Sequence, residues 1–369
     1  MTPTRPELDV LSQLSWLDRL LPVWIFVAIG VGVLLGDQWP QTGPWLNSLQ
    51  VGSVSLPIAL GLIWMIYPPL AAVNYAKLRE AAEAKQVIGL SLLLNWVVGP
   101  ILMFALAWIF LPDLPGLRDG VILVGLARCI AMVLVWNMLA GGNNEHAAIL
   151  VALNAAFQIA LYSVYAFIFL TVLSNALSPA GAVITVSVNP FSIALNVAVF
   201  LGIPLLLGLL SRTLLTRRKG AVWYESVFLP RLAPTALIAL LFTLIVMFSL
   251  QGNVIVGNPF LVVRVAVPLI VYFAIMFISS YFLAWRLHLT YQDAVTVSFT
   301  AASNNFELAI AVAIASFGLA SPQAFATIIG PLVEVPIMIG LVYLSLWLRV
   351  HLFARTMAER TVQPEGRQG

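Results

Sequence analysis

The chain has 369 residues, 61% of them hydrophobic and only 9% charged, with a mean hydropathy of +1.00. Soluble domains carry about 25% charged residues, so this composition excludes an ordinary soluble protein and marks an integral membrane protein. A formal charge of +3 is too small to point to nucleic acid. The one cysteine, Cys129, excludes an intramolecular disulfide and any paired-cysteine metal site.

The apolar runs are about 20 residues long, which predicts helices; barrel strands would be short and alternating. Residues 1–18 are polar and carry acids, and no small-residue cleavage pattern follows the first apolar run. That run is therefore expected to be a retained span behind a cytoplasmic N-terminal segment. Ten spans are predicted: Leu20–Gly36, Val54–Val73, Val87–Leu111, Asp119–Ala140, Ala147–Leu173, Pro190–Leu210, Leu229–Leu250, Pro259–Trp285, Ala294–Phe317 and Gln323–Leu348. Gln41–Leu49 reads as an interfacial piece, and 351–369 as a polar cytoplasmic tail. With both termini inside, 15 of the 18 Lys and Arg residues fall on the cytoplasmic side, leaving Arg118 and Arg264 in outside loops and Arg128 within a span. Such a bias fixes the direction and supports an even span count.

The most basic loop, Arg212–Tyr224, divides the ten-span domain (19–350) into two sets of five, about 19–211 and 225–350. Five spans per half place the second half upside down, the condition for an inverted repeat. A weak internal echo supports it. Asp119 and Asp293 each open a span with polar residues at its middle, and the offset from Cys129 to Gln158 equals that from Asn305 to Glu334.

The polar residues inside the spans carry the chemistry. In the ninth span, Phe299-Thr-Ala-Ala-Ser-Asn-Asn-Phe-Glu307 places Ser303, Asn304, Asn305 and Glu307 in an apolar run. An acid near the bilayer centre costs on the order of 2.5–3.5 kcal/mol on insertion scales, so such residues tend to mark ion or substrate pathways. Consecutive asparagines compete for backbone hydrogen bonds, which predicts a helix broken beside Glu307. Arg128-Cys129 sits midway along the fourth span. A thiol at membrane depth beside a cation is a candidate soft ligand, while a lone cysteine is also a common small buried hydrophobe. Glu334 lies between Pro331 and Pro336, which remove backbone donors and are expected to kink the helix. Either acid can bind and release a proton; the alternative is a permanent ion pair with Arg128. Asn154, Gln158 and Tyr162, spaced four apart, share one helix face that either lines a pathway or bonds helices together. Asn137 and Asn143-Asn144 close the fourth span, and His146, His288 and His351 read as ordinary interface residues. No phosphate-cradling glycine loop, His–Glu metal motif or nucleophile elbow occurs, so no cofactor, metal or ATP-driven step is expected.

Several of these stretches resemble the arsenite efflux permeases of the bile acid–sodium symporter superfamily. They are Ala127-Arg-Cys-Ile-Ala-Met-Val-Leu-Val-Trp-Asn137, Leu150-Val-Ala-Leu-Asn154, Leu241–Gly252, Phe299–Ile314 and Gly330-Pro-Leu-Val-Glu-Val-Pro336. The resemblance runs from about Leu17 to Leu348. It implies an all-α ten-helix fold with core and panel domains, whose broken fourth and ninth helices cross near the midplane. It further implies arsenite/proton antiport across the cell membrane, with Cys129 as the family's cysteine and Glu307 as its ninth-span glutamate. Antimonite is a second candidate cargo. Ser303, Asn304, Asn305, Asn137 and Asn154 would hydrogen-bond arsenous acid, and Cys129 would offer one reversible sulfur. Gln158 would line the pathway, Glu307 or Glu334 would couple protons, and Arg128 would partner their charge. The family commonly has Asp after its Trp-Asn; this chain has Met138. The rival on the same fold is a sodium-coupled organic-anion symporter, which needs a roomier cavity and oxygen ligands for sodium. A non-transporting receptor would lack any sizeable soluble domain, and an enzyme built on Cys129 would lack a membrane-depth histidine.

Overall fold

The computed structural model describes residues 20–39, 41, 48–51, 54–73, 84–178, 189–318 and 320–353. The expected N-terminal segment, the loop holding Lys77 and Arg79, most of the interfacial piece and the tail beyond Phe353 lie outside the described residues. Apart from a hairpin of two-residue strands, Gln50–Val51 and Val54–Ser55, the described chain is helical.

The helices are α1 (Leu21–Gln38), α2 (Leu56–Ala72), α3 (Lys85–Phe110), α4 (Pro115–Leu126), α5 (Met132–Leu139), α6 (Asn144–Leu177), α7 (Pro190–Lys219), α8 (Leu229–Gly257), α9 (Pro259–Arg286), α10 (Tyr291–Ala302), α11 (Phe306–Phe317) and α12 (Pro322–Leu348). Their ends follow local chemistry. Proline opens α4, α7, α9 and α12, where a missing N–H costs nothing. Asn143, Asn189, Thr290, Asn305 and Ser321 cap N-termini with side-chain oxygens. Gly318 leaves α11 at φ 88°, a setting glycine adopts at little cost. Among the described residues six helical stretches are long and apolar enough to cross a membrane, and α1, α2 and α11 contain shorter apolar helices.

Most of the packing falls into two groups, joined by α7, whose first half also lies on α6 and α11. α8 lies along α1 and α2, and α7 lies on α2. In the other group α9 packs on α10 and α12, while α12 also lies against α4 and α11. Small residues permit the closest approaches. Gly32 and Gly36 of α1 face the backbone of Ile245 and Ser249, and Gly116 and Gly120 of α4 face Pro322 and Gln323.

Two local expectations change. Arg118, expected in an outside loop, is buried in the first turns of α4, its guanidinium 3.8 Å from the Trp108 ring centre. The cation–π contact and the neighbouring Asp119 replace the water it gives up. His146 is no simple interface residue: its Nδ1 lies 2.6 Å from Asp293 Oδ1.

Candidate transport site where two helix breaks meet

α4 and α5 are separated by residues 127–131, and α10 and α11 by residues 303–305. An unwound stretch inside a bilayer exposes N–H and C=O groups that must find partners within the protein. Here the two breaks partner each other. Arg128 and Asn304 face one another in an antiparallel bridge, with Cys129 N–H donating to Ser303 O at 3.4 Å and Asn305 N–H to Ala127 O at 3.2 Å. The N–H of Arg128 donates to Gln158 Oε1 at 3.1 Å, and the N–H of Asn304 faces the Glu334 carboxyl. Each bridged residue thus finds an acceptor on the side chain 30 residues further along.

The helix ends at the crossing are closed as well. Tyr162 Oη donates to Leu123 O at 2.9 Å, and Ala127 N–H to Val124 O at 3.1 Å. The Arg128 guanidinium reaches Gly125 O, Ala301 O and the hydroxyl of Tyr272. Arg128 is fully buried, yet among the described residues it makes no ion pair, so the structure does not seat it on either acid. Asn305 Oδ1 caps α11 at Leu308 N–H, 3.0 Å away.

These bonds leave several polar atoms free, Nε of Arg128 among them. Both amide atoms of Asn304, Nδ2 of Asn305, Nδ2 of Asn154 and Oε1 of Glu334 are buried without a partner. Leaving such groups unsatisfied costs about 1–3 kcal/mol each, so at the crossing they are available to a polar solute. Cys129 sits among them. Its sulfur accepts from Val133 N–H at 3.3 Å, and the Ser303 hydroxyl is within reach.

Glu307 occupies the first turn of α11, where the helix dipole favours an anion. Its side chain forms part of the wall of a 240 Å³ cavity between the two helix groups. α2, α5, α8 and Ala131 of the break supply the rest of its described wall, including Met65, Met132 and Leu237, and Glu307 is the one charged residue among the described residues lining it. Glu334 is sealed, at 4% exposure. The two acids therefore differ: one meets the cavity and the other holds the break.

Three sequence candidates have other duties in this conformation. Asn137 Oδ1 accepts from Thr296 Oγ1 at 2.7 Å and its Nδ2 donates to Asn144 Oδ1 at 2.9 Å, so its amide is occupied at the end of α5. Asn154 Oδ1 accepts from Trp96 Nε1 at 3.3 Å, and Gln158 Nε2 donates to the Asn154 carbonyl. Gln158 supports the break and is absent from the cavity wall. Residues not singled out from the sequence complete the frame. Thr296 joins Asn137 to Asn143, Asn143 donates to Asp293 at 3.0 Å, and Tyr272 carries Arg128. Thr296 shows only as one hydroxyl in an apolar helix, and Tyr272 as one aromatic among many, so neither stands out by residue type.

Paired helix interruptions around buried polar groups, in a chain this apolar, define a membrane-embedded carrier. The family model of the Sodium Bile acid symporter family matches residues 59–258, and the chain belongs to that family. It is 50% identical over 342 residues to the arsenical-resistance protein Acr3 of Corynebacterium glutamicum, covering 93% of this chain and 92% of the relative. The Acr3 protein of Alkaliphilus metalliredigens is 34% identical over 344 residues, 90% of this chain and 93% of its own length. An uncharacterized transporter of Synechocystis is 35% identical over 354 residues, 90% of this chain and 88% of its own.

Proposed function

We propose that the chain is a secondary transporter that exports arsenite from the cytoplasm in exchange for protons. In this reading ten spans form a 5+5 inverted repeat in the cell membrane, with both termini cytoplasmic. The observation that carries the proposal is that the paired breaks bring Cys129 beside Ser303 and the free amide of Asn304, with Glu307 in the first turn of the helix that follows. The names of the two Acr3 relatives point to the same class of solute. Arsenous acid is small, offers oxygens to Asn304, Asn305 and Ser303, and has a soft trivalent centre for one thiol. Antimonite shares that chemistry and is the second cargo to test.

The cavity lies beside the end of α2 and the start of α8, near Arg231, on the side the basic residues assign to the cytoplasm. Cargo therefore enters from that side in this conformation. Glu307, on the wall, gives up its proton as cargo binds and takes one from outside to release it. Glu334 stays beside the Asn304 N–H throughout. A 240 Å³ space falls below the roughly 300–1,000 Å³ of sites for drug-sized ligands, which favours a small solute over a bulky organic anion.

The test is arsenite uptake into everted vesicles under an imposed proton or sodium gradient, with Cys129→Ser, Glu307→Gln and Glu334→Gln side by side. Proton-driven uptake lost in Cys129→Ser and Glu307→Gln is the expected result. Normal proton exchange in Glu307→Gln would refute the coupling role, and uptake that follows sodium alone would favour the sodium-coupled alternative.

A further inference from the structure

We propose that Arg128 is a tethered cation, its guanidinium filling the place an inorganic cation would take where two broken helices present their C-terminal carbonyls. α4 and α10 are each 12 residues long and both end at the crossing. A helix C-terminus carries about −0.5 of an elementary charge, so two converging ends roughly balance one guanidinium. The geometry follows that balance. One Nη donates to Gly125 O in the last turn of α4, and the other reaches Ala301 O in the last turn of α10 at 3.4 Å. The second Nη also donates to Tyr272 Oη at 2.6 Å, and that hydroxyl passes a hydrogen bond on to the same Ala301 O at 3.4 Å.

A buried guanidinium with no carboxylate beside it is costly unless fixed dipoles replace its water. These carbonyls are such dipoles. Room for the head group is also provided: a Cβ on Gly99 would lie 2.8 Å from Arg128 Nη1 and 2.9 Å from Tyr272 Oη. Unwound carbonyls and half-helix C-terminal ends are also what bound sodium uses in discontinuous-helix carriers. Arg128 keeps that position filled from within the chain. The carrier is thus independent of sodium, and cutting Arg128 back opens a site for a small monovalent cation. This goes beyond the choice of cargo, because the position concerns the crossing itself.

The experiment compares wild type, Arg128→Ala, Arg128→Lys and Arg128→Met in choline buffer, with guanidinium or sodium ions added at millimolar concentration. Two readouts are taken: the melting temperature of the purified protein, and arsenite uptake in proteoliposomes. Wild type should respond to neither ion. Arg128→Ala should lose about tenfold in uptake, the worth of one charge-assisted contact. It should regain both uptake and melting temperature with guanidinium, or with sodium, but not with extra choline. The melting response is read without cargo, so it separates this idea from the arsenite reading. A folded Arg128→Ala protein insensitive to both ions, or one with wild-type uptake in choline, would overturn the proposal. Should Arg128→Ala fail to fold, the other pair decides: recovery of Lys but not Met supports a required cation, and equal recovery overturns it.

Discussion

Replacing Gln158 with leucine removes the acceptor that holds the first break. Its Oε1 is the side-chain partner of the Arg128 N–H, at 3.1 Å, and Gln158 is fully buried, so no water takes its place. An orphaned buried donor costs about 1–3 kcal/mol. The bond from Gln158 Nε2 to Asn154 O adds little, because a carbonyl in mid-helix keeps its backbone partner. For a chain longer than 250 residues each kcal/mol moves the melting midpoint by roughly 2 °C, so a fall of about 2–6 °C is expected. Thermal unfolding of detergent-purified protein, followed by tryptophan fluorescence, measures it. Gln158→Glu keeps an acceptor and should fall less. The same logic applies across the crossing: Glu334→Gln keeps an oxygen before the Asn304 N–H, and Glu334→Leu does not. If Leu and Gln at 334 melt together, or Gln158→Leu stays within about 1 °C of wild type, the paired-acceptor reasoning is wrong.

Further outcomes follow from the same contacts. Gly330→Ala drives a methyl into the Phe306 ring between α11 and α12, and overpacking of this kind costs about 1–3 kcal/mol, readable in the same melt. Thr296→Val removes the hydroxyl bonded to Asn137 Oδ1, so Asn137→Ala, Thr296→Val and the double variant should form a strongly non-additive stability cycle; additive losses would detach Asn137 from this frame. Ala236→Phe projects a ring into the 240 Å³ cavity and should cut arsenite uptake about tenfold or more while leaving the melting temperature near wild type. Normal uptake in that variant would remove the cavity from the pathway.

Much of this arrangement is legible in the sequence because the bilayer penalises polar residues so heavily. Ser303-Asn304-Asn305 and Arg128-Cys129 stand out against apolar surroundings, and both turn out to lie at helix breaks. The equal offsets that reach Gln158 and Glu334 reappear as the two acceptors serving Arg128 and Asn304. What residue types alone do not carry is where each hydrogen bond goes. Asn137 reads as a free amide but is bonded at both ends, to Thr296 and Asn144. Arg128 invites pairing with Glu307 or Glu334 because opposite charges are counted residue by residue. Its actual partners are carbonyls at helix ends and a tyrosine hydroxyl, and the charge of a helix end belongs to no side chain. His146 lies in a sequence turn and meets Asp293 only because α10 starts beside it.

The two kinds of interface around the site differ in what it costs to move them. At the crossing, backbone bonds, Gln158, Glu334 and Arg128 tie α4, α5, α10 and α11 to each other and to α6, α9 and α12. Breaking any one leaves a buried polar group unmet, so these elements travel together. Across the cavity the facing surfaces are apolar: Met65, Pro68 and Leu240 on one side, Met132 and Val135 on the other. Apolar contacts are non-directional, and sliding one such surface over another exchanges similar dispersion energies without stranding a donor or acceptor. In the proposed exchange of arsenite for protons, the movement that exposes Glu307 to opposite sides of the membrane is assigned to this second interface, with the crossing carried along. In that cycle a proton on Glu307 would lower the cost of drawing it across the apolar surface, since a neutral carboxyl is far cheaper to desolvate than a charged one. On the proposed function, coupling needs no separate gate: an apolar wall that resists the bare carboxylate would let the protonated acid, or the loaded site, pass.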